Sequence, residues 1–190
     1  MEVRQSYELA QKIVKKCGGS RNPEEMCPSL GIEIYEFDLK NLKGMYSSAS
    51  RHRTIYLNSR LTGYLRRFVL MHELCHDQIL PHRAAARNTP LRDLLFFEDA
   101  SQTEREANSV AAHILIQSGQ MLELLENGRS CSETASLLEV PEDLLLIELE
   151  DFTRMHPEYA FLQTSLPREG RGDFLKCYDD GTFSRKRTLA

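Results

Sequence analysis

Residues 72 to 76 read His72-Glu73-Leu74-Cys75-His76, inside a stretch whose apolar residues recur at helical spacing. From Leu61 to Leu80, the residues Leu65, Phe68, Val69, Cys75 and Ile79 mark one stripe and Arg66 and Arg67 another, which predicts an amphipathic helix ended by Pro81. Four residues is just over one turn, so the two imidazoles share a face, about 5 to 6 Å apart at Cβ. They continue the apolar stripe and so point inward. Two buried imidazoles beside a carboxylate carry a desolvation cost unless a metal or polar groups meet them. The spacing suits one Zn²⁺ held by His72 and His76, with Glu73 beside it to move a proton between water and a leaving amine in peptide hydrolysis. Three fixed letters of this kind arise by chance in roughly 2 of 100 chains of this composition, so the surroundings have to support the pattern.

Zinc in a hydrolytic site takes a third protein ligand and leaves a fourth position open. The candidates are Glu104, Glu106, His113, His82, Glu98 and Asp99. A long helix is predicted from about Ser101 to Gln117. On it Glu104 shares a face with Ala107, Asn108, Ala111 and Leu115, and the two alanines would admit a close neighbour. Glu106 lies on a more mixed face with Ser109, Val110 and His113, and His113 is about half a revolution from Glu104. Glu104 is therefore the chosen ligand and Glu106 the alternative, otherwise a solvated surface carboxylate. Asn108, one turn on, is placed to fix the tautomer of a histidine ligand.

The rest of the chain predicts an α+β fold, mainly helical, with a small three-stranded antiparallel or mixed sheet packed on the His72 helix. An amphipathic helix over residues 4 to 17 stops at Gly18-Gly19, and Asn22-Pro23 opens a second helix that ends near Gly31. Strands are expected at Ile32 to Phe37, Gly44 to Tyr46 and Thr54 to Asn58. Helices follow at Met121 to Leu125, Ser132 to Leu138 and Pro141 to Phe152. The division expected is a metallopeptidase-like domain over 1–118, an acidic helical subdomain over 119–160 and a loosely packed tail over 161–190.

Formal charge runs +3 over residues 1–60, −1 over 61–118, −8 over 119–160 and +2 over 161–190. The acidic quarter would repel phosphate, so direct nucleic-acid binding is not expected. The segment Ser132 to Asp143 has helix-turn-helix spacing, but the would-be recognition helix offers Glu142, Asp143, Glu148 and Glu150. A helical scaffold, a solvated face or a docking surface for a basic partner fits it better. Five scattered cysteines without a C-x-x-C build neither a disulfide framework nor a zinc ribbon. No apolar run suffices to span a bilayer and the first residues are charged, so a cytoplasmic location and no membrane partner are expected.

The string Val69-Leu70-Met71-His72-Glu73-Leu74-Cys75-His76-Asp77, followed by Glu104-Arg105-Glu106-Ala107-Asn108-Ser109-Val110-Ala111-Ala112-His113-Ile114-Leu115, is similar to the ImmA/IrrE family of metallopeptidases. Asn41 to Tyr46 and Thr54 to Asn58 resemble that family's strand segments, and Gly172 to Lys176 resembles the tail of some members from Gram-positive bacteria and their mobile elements. The resemblance covers roughly residues 4 to 177. It implies a zincin-like fold with His72, His76 and Glu104 as ligands and Glu73 as general base. It also implies an endopeptidase that cuts a helix-turn-helix repressor of a mobile element or stress response. The chain departs from the family at Cys75, where glycine is usual, at Val110 and at Ile116-Gln117, which touch packing and not the ligand set. Two imidazoles and a carboxylate would also suit Mn²⁺ or another divalent ion.

Three further expectations attach to this reading. Cys75 is a buried packing residue, since the helix turns it about 100° from His76. An oxyanion stabiliser would come from Tyr46, Tyr56 or His82. A strand, Thr54 to Asn58, would pair with the substrate backbone. The rival from another class is a metal-stabilised module that binds a transcription factor without cutting it.

Overall fold

A computed structural model describes residues 1–49, 52–87 and 100–165, of which 49, 80–87, 100–101 and 163–165 are described by their backbone alone. Helix α1 (Val3–Lys16) ends where Gly18 and Gly19 take positive φ. Helix α2 (Pro23–Leu30) is capped by the Asn22 side chain, which accepts from the Glu24 N–H, and closes on Gly31 in the left-handed conformation. Three strands follow, β1 (Glu33–Phe37), β2 (Gly44–Ala49) and β3 (His52–Asn58), then α3 (Gly63–Arg87) and α4 (Ala100–Leu115). The chain continues through α5 (Ser118–Glu126), α6 (Cys131–Leu137) and α7 (Glu142–Met155) to a 3₁₀ segment (Pro157–Ser165). The architecture is α+β, mostly helical, with one small mixed sheet.

The sheet order is β1-β3-β2, with β1 parallel and β2 antiparallel to β3. This corrects the expected substrate strand: β3, carrying Thr54 to Asn58, is central, and both of its edges are already paired. The outer strands are β1 and β2, and β2 is the one that meets Glu73 of α3. The Asn58 N–H donates to the Lys43 carbonyl, which puts Lys43, Met45 and Ser47 at the hydrogen-bonded pairs of the ladder and turns the backbone groups of Gly44, Tyr46 and Ser48 outward. Asn58 also anchors the loop between β1 and β2, its amide donating to the carbonyls of Lys40 and Leu42 at 3.1 and 2.7 Å.

One face of the sheet, with Ile55 and Leu57 fully buried, packs on α3, where Phe68, Val69, Leu74, Cys75 and Ile79 are at most 2% exposed. Helix α4 packs against α3, and its Ala107, Val110 and Ala111 are fully buried. Helix α3 runs through Pro81 to Arg87, where the sequence predicts a stop. Proline lacks the N–H that would bond to the Asp77 carbonyl and so removes one rung, but more than four turns of packed helix precede it.

Helix α7 lies against α4 and α1 and buries Leu144, Leu145, Leu149 and Phe152. Its acidic residues are not all solvated. Glu148 and Asp151 are 1% and 7% exposed, and they meet α4 and α5 through His113, Ser109 and Ser118. Counting charge along the chain cannot separate the two faces of this helix. Among the described residues no helix is long and apolar enough to cross a membrane.

The C-terminal end of α4 is held by Arg21, which donates to the carbonyls of His113 and Ile114 at 3.0 and 2.7 Å. A guanidinium there satisfies carbonyls that have no helical partner and complements the negative end of the helix dipole. Arg21→Ala is expected to cost about 1 to 2 kcal/mol, read as a lower urea midpoint with an unchanged m value.

Candidate metal centre

His72 and His76 project from α3 toward α4, and Glu104 from the first turns of α4 meets them. His72 Nε2 lies 2.9 Å from His76 Nε2 and 3.1 Å from Glu104 Oε2, and His76 Nε2 lies 3.2 Å from Glu104 Oε1. A metal with bonds of about 2.0 Å in tetrahedral geometry has ligand atoms about 3.3 Å apart, so the two ring nitrogens and the Glu104 carboxylate, which offers one oxygen to each, are near the spacing that a single ion requires. Among the described residues this is the one group of three such side chains that could hold an ion.

Burial differs across the trio. His72 is 2% exposed, whereas the Glu104 side chain is 47% exposed, so the group is walled on the helix side and opens past Glu104. Burial alone would raise the Glu104 carboxyl. Close contact with the His72 and His76 rings outweighs it and holds the group well below the ordinary carboxylate range. The anion is the form a cation needs.

Asn108 stands where the helical spacing put it. Its Oδ1 accepts from His72 Nδ1 at 2.8 Å, which keeps the proton on Nδ1 and presents the Nε2 lone pair to the group. Glu106, the alternative ligand, points elsewhere: it is 5% exposed and bonded to Gln102 and to the Met1 ammonium. It is neither in the group nor a solvated surface residue. His113 is buried on the far side of α4, its Nδ1 2.6 Å from Glu148 Oε2. His82, Glu98 and Asp99 lie outside the residues whose side chains are described.

Glu73 is 9% exposed and lies against the outer edge of β2, where the Tyr46 N–H donates to its Oε2 at 2.8 Å. The close approach requires Gly44. A Cβ at that position would stand 2.8 Å from Val69 Cγ1 and 3.1 Å from Glu73 Cγ, too near for either to remain in place. Tyr46 is tied to α3 a second time, its hydroxyl donating to Asp77 Oδ1 at 2.7 Å. Burial and the Asp77 carboxylate push that hydroxyl up to about 12.

Tyr46 is therefore committed to Asp77 and does not serve as an oxyanion donor. Tyr56 is on the opposite face of the sheet, its ring 6.3 Å from Tyr35 and 6.0 Å from Phe37. Cys75 is fully buried, and burial drives its thiol far above the usual range, which suits packing and not metal binding. Sequence reasoning missed Asp77, which receives Arg53 Nη1 at 3.0 Å as well as the Tyr46 hydroxyl. A charged residue directly after the second histidine, on a buried stripe, was the available signal.

With this geometry in view, comparison with known families places the chain. The Peptidase M78 model, the IrrE N-terminal-like domain, matches residues 27–150. The chain belongs to that metallopeptidase family. A protein of Bacillus phage phi105, named uncharacterized immunity region protein 2, is 29% identical over 147 residues, spanning 75% of this chain and 90% of the relative. The residues matched by the family model take in both histidines, Glu73, Glu104 and the three strands.

Two outcomes are expected. Asn108→Ala should weaken zinc affinity roughly 10- to 100-fold, measured by competition with a chromophoric chelator. Gly44→Ala should lift β2 from α3 at a cost of about 1 to 3 kcal/mol and speed exchange of the Tyr46 amide, read by hydrogen-exchange mass spectrometry.

Proposed function

We propose that the chain is a zinc-dependent endopeptidase with a narrow protein substrate, a helix-turn-helix repressor of a mobile element. The observation that carries the reading is the convergence of the His72 and His76 ring nitrogens, 2.9 Å apart, on the Glu104 carboxylate, which has one oxygen 3.1 Å from the first and the other 3.2 Å from the second, with Glu73 directly after His72 on the same helix. The family supports a peptidase, and the phage relative's name, an immunity region protein, supports a substrate tied to control of a mobile element.

In this reading His72, His76 and Glu104 hold the ion. A divalent cation there would supply Lewis acidity toward the scissile carbonyl and acidify water. Glu73 accepts the proton of the attacking water and returns it to the departing amine. The Tyr46 N–H occupies Oε2 of Glu73 and fixes the carboxylate, leaving Oε1 to work. The extended substrate lies along β2, whose outward backbone groups at Gly44 and Ser48 and the Tyr46 carbonyl are those a strand would pair with, the Tyr46 N–H being held by Glu73. Zinc is favoured over Mn²⁺ because two imidazoles with one carboxylate match its usual hydrolytic ligand set.

The test is incubation of the chain with a candidate helix-turn-helix repressor, with zinc and with chelator. Wild type should yield a shorter product that chelator abolishes. Glu73→Gln should keep its zinc and lose cleavage by at least about 100-fold, while Glu104→Ala should lose both. Cleavage by Glu73→Gln at the wild-type rate would remove Glu73 from its role. Tight binding with no product in any condition would favour a regulatory module instead.

A further inference from the structure

On the side of α4 away from the metal ligands, α1, α4 and α7 enclose a cavity of about 440 Å³, a size that suits a small organic ligand. Its wall carries both signs of charge, Arg105, Arg154 and Met1 together with Glu106, Glu150 and Asp151, and it includes Asn108 and Ser109; the Met1 ammonium is paired with Glu106. Arg154 is engaged with Glu150 at 2.5 Å. Arg105 is exposed and forms no ion pair among the described residues.

Deeper in, Asp151 is 7% exposed and accepts from Ser109 Oγ at 2.6 Å. Burial raises its carboxyl above the ordinary value, so an arriving cation would relieve the cost of ionising it. Asn108 touches both sites. Its oxygen is spent on His72 Nδ1, and its amide nitrogen has no hydrogen-bond partner among the described residues.

A simple anion would meet Glu106, Glu150 and Asp151, and a simple cation would meet Arg105, Arg154 and the Met1 ammonium. A neutral apolar molecule would desolvate all six without compensation. A ligand with both charges at short separation answers each wall. We propose that this cavity binds a small zwitterion, a free α-amino acid or a dipeptide, with its carboxylate on Arg105 and the Asn108 amide and its ammonium on Asp151 and Glu150. Occupancy is transmitted to the metal centre, because the residue that meets the carboxylate also orients His72. Coupling of this kind is reciprocal, so the ligand and the metal change each other's affinity by the same factor.

The transmission rests on the reading of His72 as a metal ligand, whereas binding in the cavity does not. The full chain, metal-free and zinc-loaded, is titrated with a panel of free amino acids and, separately, a panel of dipeptides, following backbone amide shifts at Arg105, Asn108 and Ser109. At least one compound should bind with a Kd below about 1 mM, and the panel that holds it identifies the source. Arg105→Ala, at an exposed position, should weaken it roughly tenfold with circular dichroism unchanged. Saturating ligand should change zinc affinity roughly fivefold.

Absence of binding in both panels, or binding that Arg105→Ala leaves intact, would overturn the site. Unchanged zinc affinity at saturation would overturn the transmission. A chain that binds no zinc would defeat the proposed function, and titration of the metal-free chain would still decide the cavity.

Discussion

Glu104 reaches His72 and His76 because α4 packs close against α3. Ala107 and Ala111, fully buried, lie on the Glu104 face and keep the two helices near enough for a short carboxylate side chain to bridge them. Larger residues would widen the gap by an ångström or more, and a donor set with spacings near 3 Å does not survive that. The candidate metal centre is thus a property of the helix pair. Either helix alone carries an incomplete set of donors.

The sheet is held over the pair by polar contacts that would be costly to leave unmade. Asp77 is 1% exposed, and both of its oxygens are taken, by the Tyr46 hydroxyl and by Arg53, which also reaches the Leu30 carbonyl at the end of α2. Removing Arg53 would leave the buried carboxylate without this counter-charge. The same anchor sets where Tyr46 stands, and so where its N–H meets Glu73. The glycine at position 44 lets the strand settle to that distance. Structural and chemical demands on β2 are met by the same few atoms.

A second buried network joins α4 to α7. His113 lies between Glu148 and Asp151, at 2.6 and 3.6 Å, with Ser109 and Ser118 completing their hydrogen bonds. It clasps the C-terminal half of the metal helix to the later helices, while Arg21 holds that helix's end. Helix α4 is therefore gripped along three sides. A donor helix fixed in this way is pre-organised, so less ordering remains when an ion binds.

The linear pattern determined the helices, the caps at Asn22 and Gly31, the approximate strands, and the pairing of His72 with His76 on one face, because each depends on periods of two or four residues or on local turn chemistry. The ranking of Glu104 over Glu106, and the place of Asn108, were also legible, since 100° per residue separates the faces of a single helix. Sheet order was not, and so β3 was expected to receive the substrate although it lies in the middle: which edge stays open depends on pairings between distant segments. Only the tertiary structure decided that Glu148 and Asp151 turn inward, that Tyr46 gives its hydroxyl to Asp77, and that Glu106 is buried away from the histidines. Each of these follows from what a neighbouring element presents, and periodicity within one segment carries no information about its neighbour.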